Sequence, residues 1–233
     1  MPANHAMTPT KLSIVMPVLN EAAGLGDALQ ALAPFTTRGV QLIVADGGSS
    51  DGTAALAQAA GNMVIPAPRG RAMQMNAGAQ HASATVLLFL HADTLLPEDA
   101  DRLIVKALAT GQTVWGRFDV RITGQSRMLR VVAAFMNLRS CWSGIATGDQ
   151  AMFMTRAAFD AVGGFPIQPL MEDIEMSRRL LKLSRPACLR AKVLTSGRRW
   201  ETRGVWRTVL LMWRLRFAYW RGTAPEHLAQ LYR

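Results

Sequence analysis

The chain has only two cysteines in 233 residues, Cys141 and Cys188. That is too few for a disulfide framework or a cysteine-built zinc site, so both are read as reduced packing residues. Long apolar runs are missing as well. No segment reaches the roughly 20 uncharged apolar residues that a membrane-spanning helix needs, because Arg214 and Arg216 interrupt the best C-terminal candidate. Met1–Thr10 has no apolar core and the first apolar run is broken by Pro17, so no secretory signal is expected and the chain suits the cytoplasm. There is no internal repeat, no low-complexity linker, and no helix-turn-helix, zinc or RNA-binding signature. Acidic residues are scarce: 16 Asp and Glu face 26 Lys and Arg, a formal net charge of +10 that comes mostly from arginine. Such a balance favours an anionic partner, whether a nucleotide diphosphate, nucleic acid or an anionic membrane surface. With no basic tail concentrating the charge, nucleic acid is not the expected partner.

What the chain does have is core-forming material. At 50% hydrophobic it can bury one full α/β domain. Leu12–Val18, Val40–Ala45, Met63–Ile65 and Val86–Leu90 read as strands, separated by helices near Gly26–Ala33, Thr53–Ala60 and Arg71–His81. Strands joined through single helices predict a mostly parallel central sheet with flanking helices, the Rossmann-like arrangement. Pro97 opens a further helix to about Ala109, and Val114–Ile122 alternates as a half-exposed strand would. Beyond it the spacing predicts helices at Ser126–Leu138, Arg156–Val162 and Ile174–Leu183, and strands at Ala151–Met154 and Cys188–Val193. One domain results, with a nucleotide-binding half over 10–110, an acceptor half over 111–200 and a helical extension over 201–233.

Three of the strands end in polar or acidic residues, at Leu19-Asn20-Glu21, at Asp46-Gly47-Gly48-Ser49-Ser50-Asp51-Gly52-Thr53, and at His91-Ala92-Asp93-Thr94. The carboxyl edge of a parallel sheet is where such folds bind ligands. In the second of these, glycines allow close backbone approach, Asp51 or Thr53 can cap the next helix, and Asp46 is left to accept hydrogen bonds from a base or ribose.

These residues resemble the family 2 glycosyltransferases with the GT-A fold. Pro17-Val18-Leu19-Asn20-Glu21 resembles that family's opening motif, Asp46 through Thr53 its Asp-Asp-Gly-Ser-x-Asp-Gly-Thr motif, and His91-Ala92-Asp93 stands at its Asp-x-Asp position. Gly148-Asp149-Gln150 and Met171-Glu172-Asp173 fall at its acceptor and catalytic-base segments. A narrower likeness, to the branch associated with arsenosugar biosynthesis and radical-SAM gene neighbourhoods, is carried by Gly70–Ala79, Leu88–Thr94 and Arg198-Arg199-Trp200. Arg198-Arg199-Trp200 also resembles the end of the processive enzymes' Gln-x-x-Arg-Trp motif, but Ser196 stands where Gln would be, which argues against a polysaccharide synthase.

The resemblance implies an inverting transferase that moves a sugar from a nucleotide diphosphate, with uridine as the expected base, to a hydroxyl acceptor. Asp93 is then the metal ligand, because a hard divalent cation bridging diphosphate oxygens prefers carboxylate. Coordination by His91 as well would suit Mn²⁺ better than Mg²⁺; the alternative for His91 is a hydrogen bond to the neighbouring turn. Pro17, Glu21 and Asp46 frame the nucleoside. Arg69 and Arg71 beside Gly70, Asn76 in the same segment, and Arg199 with Trp200 are candidate donor contacts. Asp173 is the candidate general base, Glu172 and Glu175 are its rivals, and Asp149 would orient the acceptor. His91 and Gly47 stand where the family usually has Asp. Two other readings fit the composition: a nucleotidyltransferase, which would need a Gly-rich basic loop after the first strand that is not there, and a basic nucleic-acid or anionic-lipid binding protein.

In the last segment Trp206, Trp213 and Trp220 recur every seven residues, with Leu210 and Phe217 between them and Arg207, Arg214 and Arg221 alongside. A helix over 205–221 with that face either packs on the domain or a sister subunit, or lies peripherally in a membrane interface.

Overall fold

The computed structural model describes residues 11–232; Met1–Thr10, where the sequence shows no signal, lies outside them. Among these residues eight strands form one sheet: β1 (Leu12–Val18), β2 (Gln41–Asp46), β3 (Met63–Pro66), β4 (Val86–Phe89), β5 (Thr94–Leu95), β6 (Trp115–Thr123), β7 (Phe153–Thr155) and β8 (Ala187–Ser196). The helices are α1 (Ala22–Thr37), α2 (Thr53–Ala59), α3 (Arg71–His81), α4 (Ala100–Leu108), α5 (Met128–Ser143), α6 (Arg156–Ala161), α7 (Glu172–Leu180), α8 (Arg198–Arg203), α9 (Val205–Trp220) and α10 (Pro225–Tyr232).

The strand order is β3-β2-β1-β4-β7-β6-β8-β5. The first four run parallel, as strands returned through helices must. β7 is antiparallel to both β4 and β6, β6 is parallel to β8, and β5 closes the sheet antiparallel to β8. The result is a mixed sheet, parallel in its N-terminal half, with helices on both faces. β1 is buried at every position because helices cover both of its sides. On one face Leu25, Leu29, Leu32 and Phe35 of α1, spaced for a single helical stripe, pack on Ile14, Met16 and Val44. On the other, Val15, Leu87 and Phe89 meet Met75 of α3 and Met176 of α7. Phe89 stacks on Phe159 at 5.6 Å and meets Phe165 edge-on at 4.8 Å, contacts worth about 0.5–1.5 kcal/mol each beyond their burial.

Three features depart from the sequence expectation. β6 alternates as expected only over its second half: its first four residues are all buried, and Arg117 is enclosed by pairing with Asp119 and donating to the Asn137 carbonyl of α5. β5 carries no periodic signal, being two residues long; it exists because Thr94 and Leu95 pair with Thr195 and Leu194 of β8. Finally, the aromatic face of α9 does not pack on the domain. Trp206, Trp213 and Trp220 are 64, 71 and 77% exposed, while the opposite face places Leu215 against Met171 and Leu228 of α10.

Candidate functional site

Parallel pairing aligns the ends of β1 and β2, with Val18 beside Asp46, so the polar residues after the strands collect at one edge. Two cavities open there. A cavity of about 650 Å³ is walled by Pro17 and Glu21 after β1, Arg69 and Arg71 at the start of α3, and Asp93 after β4. A larger one of about 760 Å³ holds Asp149, Glu172, Asp173 and Trp200, with α5 and α9 forming its far wall. Arg71 and His91 line both.

In the smaller cavity burial, and then the charge of Asp93, raise the Glu21 carboxyl above its ordinary value, while Arg198 and Arg71 pull it back. Two carboxylates thus share a basin with arginines. The β5–β8 pairing brings Arg198 there, since Ser196 donates its N–H to the Asp93 carbonyl at 3.2 Å.

In the larger cavity Asp173 sits in the first turn of α7. Its Oδ2 accepts the Gly148 N–H at 3.0 Å and its Oδ1 the Ile174 N–H at 2.7 Å. Met171, immediately before α7, is held at φ 66, a left-handed conformation that costs a non-glycine residue energy and gathers at functional sites. Asp149 lies 3.4 Å from His91 Nδ1 and keeps 42% of its side chain open. Burial pushes its carboxyl up, but the His91 hydrogen bond and charge, then Arg71 and Arg199, outweigh this and hold it below its ordinary value. Glu172 is 6% exposed and raised, first by burial and next by Asp173.

Several expected contacts fall elsewhere. The Asp46 carboxylate is not left for a ligand: it accepts from the Gly48 and Ser49 N–H groups and the Ser49 hydroxyl, closing its own turn. Asn76 faces away from both cavities, its amide exchanging two hydrogen bonds with the Phe165 backbone at 2.8 and 2.9 Å. Trp200 belongs to the larger cavity, not to the smaller one with Pro17, Glu21 and Asp93. Arg199 stacks over Tyr232 at 4.6 Å. Glu175 is removed as a candidate base, being held by Arg179 and Arg178 along the helix. His91 turns Nδ1 to Asp149, and its ring packs so closely on Gly148 that a Cβ there would lie 2.5 Å from the imidazole. His91 is thus engaged with the Gly148-Asp149 segment of the larger cavity while also lining the smaller one beside Asp93.

Among the described residues no group of three His, Cys, Asp or Glu side chains converges as a metal cage. A lone exposed carboxylate, Asp93, with Glu21 across the same cavity, still fits a cation that takes most of its ligands from diphosphate and water. Sequence reading missed Gln74, which is 3% exposed and donates to the Val18 and Ala45 carbonyls at 2.6 and 3.0 Å, tying β1 to β2 under the smaller cavity. A Cβ at position 47 would come within 2.9 Å of its amide, which explains glycine there. It also missed Arg139 and Arg216 in the larger cavity; only burial in the fold distinguishes them from surface arginines.

The fold has counterparts among known proteins. A mannosyltransferase, PcManGT from Pyrobaculum calidifontis, solved with GDP-Man and Mn²⁺, superposes with a TM-score of 0.66 at 18% identity, covering 97% of this chain and 70% of that one. Glucosyl-3-phosphoglycerate synthase from Mycobacterium tuberculosis, with Mn²⁺, UDP and glucosyl-3-phosphoglycerate, gives 0.59 at 20% identity over 78% of this chain and 70% of the other. S. aureus TarS 1-349 in complex with UDP gives 0.65 at 15% identity, covering 80% and 60%. No curated protein matches the chain by sequence. The sequence profile of Glycosyl transferase family 2 matches residues 13–165, a span that contains the polar ends of β1 and β2, Asp93 and Asp149. Ordered motifs, fold and profile agree, and the chain belongs to glycosyl transferase family 2.

Proposed function

We propose that the protein is an inverting glycosyltransferase that moves a sugar from a nucleotide diphosphate sugar, UDP-linked, to a hydroxyl acceptor with the help of a divalent cation. The observation that carries this reading is the pair of cavities meeting at Arg71 and His91, with Asp93 on one side of the junction and Asp149 and Asp173 on the other. The acceptor oxygen bonds to the anomeric carbon as the bond from that carbon to the β-phosphate oxygen breaks. The electron pair leaves with the diphosphate, and the acceptor proton passes to Asp173. A single displacement with one base inverts the anomeric centre. Asp93, aided by Glu21, would hold the cation, which when bound neutralises the charge that builds on the leaving group. Arg71 stands at the start of α3, where its guanidinium and the helix N-terminus favour phosphate. Asp149 and His91 orient the acceptor between the two. Imidazole coordination was the argument for Mn²⁺ over Mg²⁺, and with His91 turned to Asp149 either ion suits the site.

Calorimetric titration with UDP tests this, with GDP as comparator and with or without Mn²⁺ or Mg²⁺. The expected result is metal-dependent UDP binding that Asp93→Ala weakens at least tenfold. Failure of both nucleotides to bind, with either metal, would remove the donor assignment.

A further inference from the structure

Arg139 of α5 and Arg216 of α9 face the larger cavity from two different helices. Neither forms an ion pair within 4 Å among the described residues, and Nη2 of each is buried with no hydrogen-bond partner from the protein. Arg139 has one long bond, from Nη1 to the Ile145 carbonyl at 3.3 Å. Burial, then the charge of Arg216, push the Arg139 guanidinium down to about 10, and burial lowers Arg216 as well; Asp173 is the acid whose field reaches both. Two like charges half-buried in one cavity without an ion-pair partner cost folding energy that an incoming anion would offset.

The walls around this pair are apolar, including Met128, Val132, Met136, Val209 and Met212. Apolar surface continues outward along both helices. On α5 Val131, Phe135, Leu138 and Trp142 form one helical stripe and are 43, 68, 69 and 81% exposed. On α9 Trp206, Leu210, Trp213, Phe217 and Trp220 form another. Phe135, Trp206 and Trp213 belong to both the cavity wall and the exposed surface, so the two stripes flank the cavity mouth. Exposed Arg207, Arg214 and Arg221 border the α9 stripe, matching an anionic interface.

We propose that Arg139 and Arg216 form an anion subsite, and that the acceptor is a membrane-borne lipid whose phosphate or carboxylate seats between them, with its apolar chain leaving between α5 and α9. The proposal rests on the larger cavity being the acceptor side of the transferase. It places the acceptor's anionic group deep, its hydroxyl at Asp173 and its chain toward the bilayer, where the tryptophans anchor the molecule.

Binding measurements test it without turnover. Wild-type protein, R139Q and R216Q are titrated with octyl phosphate, octanol and inorganic phosphate, and in parallel with UDP and Mn²⁺. The expected result is octyl phosphate binding at least tenfold tighter than octanol or inorganic phosphate, weakened tenfold or more by each substitution, with UDP binding unchanged. Absent octyl phosphate binding, or equal affinity in all three proteins, overturns the subsite. Inorganic phosphate binding as tightly as octyl phosphate overturns the lipid and marks a soluble anion. Arginine-dependent octyl phosphate binding without UDP binding supports the subsite while removing the transferase reading. If a glutamine variant does not fold, R139K and R216K replace it, and octyl phosphate must weaken tenfold in at least one of them. Co-sedimentation with phosphatidylcholine vesicles containing phosphatidate, and not with phosphatidylcholine alone, supports the lipid source; no sedimentation with either overturns it.

Discussion

Gly47 shows how one residue departs from a family pattern without breaking the site. Gln74 reaches under the donor cavity to two strand carbonyls, and its amide fills the space a side chain at 47 would take. Gly47→Asp, which restores the family's commoner residue, is expected to destabilise the fold by about 1–3 kcal/mol through overpacking and displaced hydrogen bonds. In a Gln74→Ala background its cost should be smaller, a non-additivity that urea unfolding of the four proteins would reveal. Glu172 makes a prediction about pH. Burial and the Asp173 charge raise its carboxyl above the ordinary 4.5, so the folded chain keeps a proton that the unfolded chain has released. Stability from this group therefore falls as pH rises from 4.5 through the raised value. Glu172→Gln removes that titration. Its thermal midpoint should exceed that of wild type at pH about 8, and the advantage should vanish as pH is lowered through the same window.

At the scale of elements, β5 and α9 decide what the sequence left open. β5 is two residues long and has no pattern of its own, yet its pairing with β8 ties Ser196 to the Asp93 carbonyl and brings Arg198 within the field of Glu21. The heptad spacing of tryptophans on α9 is legible in the sequence, but which face the domain covers depends on Met171 and α10, which pack on Leu215 and leave the indoles outside. Trp213→Ser combined with Trp220→Ser is expected to change stability by less than about 0.5 kcal/mol, since neither side chain supports the core. The same double substitution should reduce co-sedimentation with anionic vesicles severalfold. A large loss of thermal stability instead would mean that the face packs on a second copy of the chain.

For the whole molecule, two cavities sharing Arg71 and His91 predict separable halves of the reaction. Asp173→Asn should leave UDP affinity within about twofold of wild type and lower sugar transfer by 10²–10⁴-fold, the usual range for a lost general base. Asp93→Ala should impair both. Isothermal titration alongside a coupled UDP-release assay distinguishes the two variants. The alternation of strands and helices, the polar strand ends and the order of the motifs were all readable along the chain, because periodicity and turn chemistry are local properties. Asp93, at a strand end, and Asp173, at a helix start, could be located for the same reason, whereas Asp149 was reached only through the resemblance to the family's acceptor segment. Tertiary structure alone decided what those groups face. It closed Asp46 onto its own turn, turned Asn76 to Phe165 and His91 to Asp149, and buried two arginines from distant helices beside Asp173. Burial and partnering depend on which segments meet across the sheet, and those contacts are long-range, with no trace in the spacing of residues along the chain.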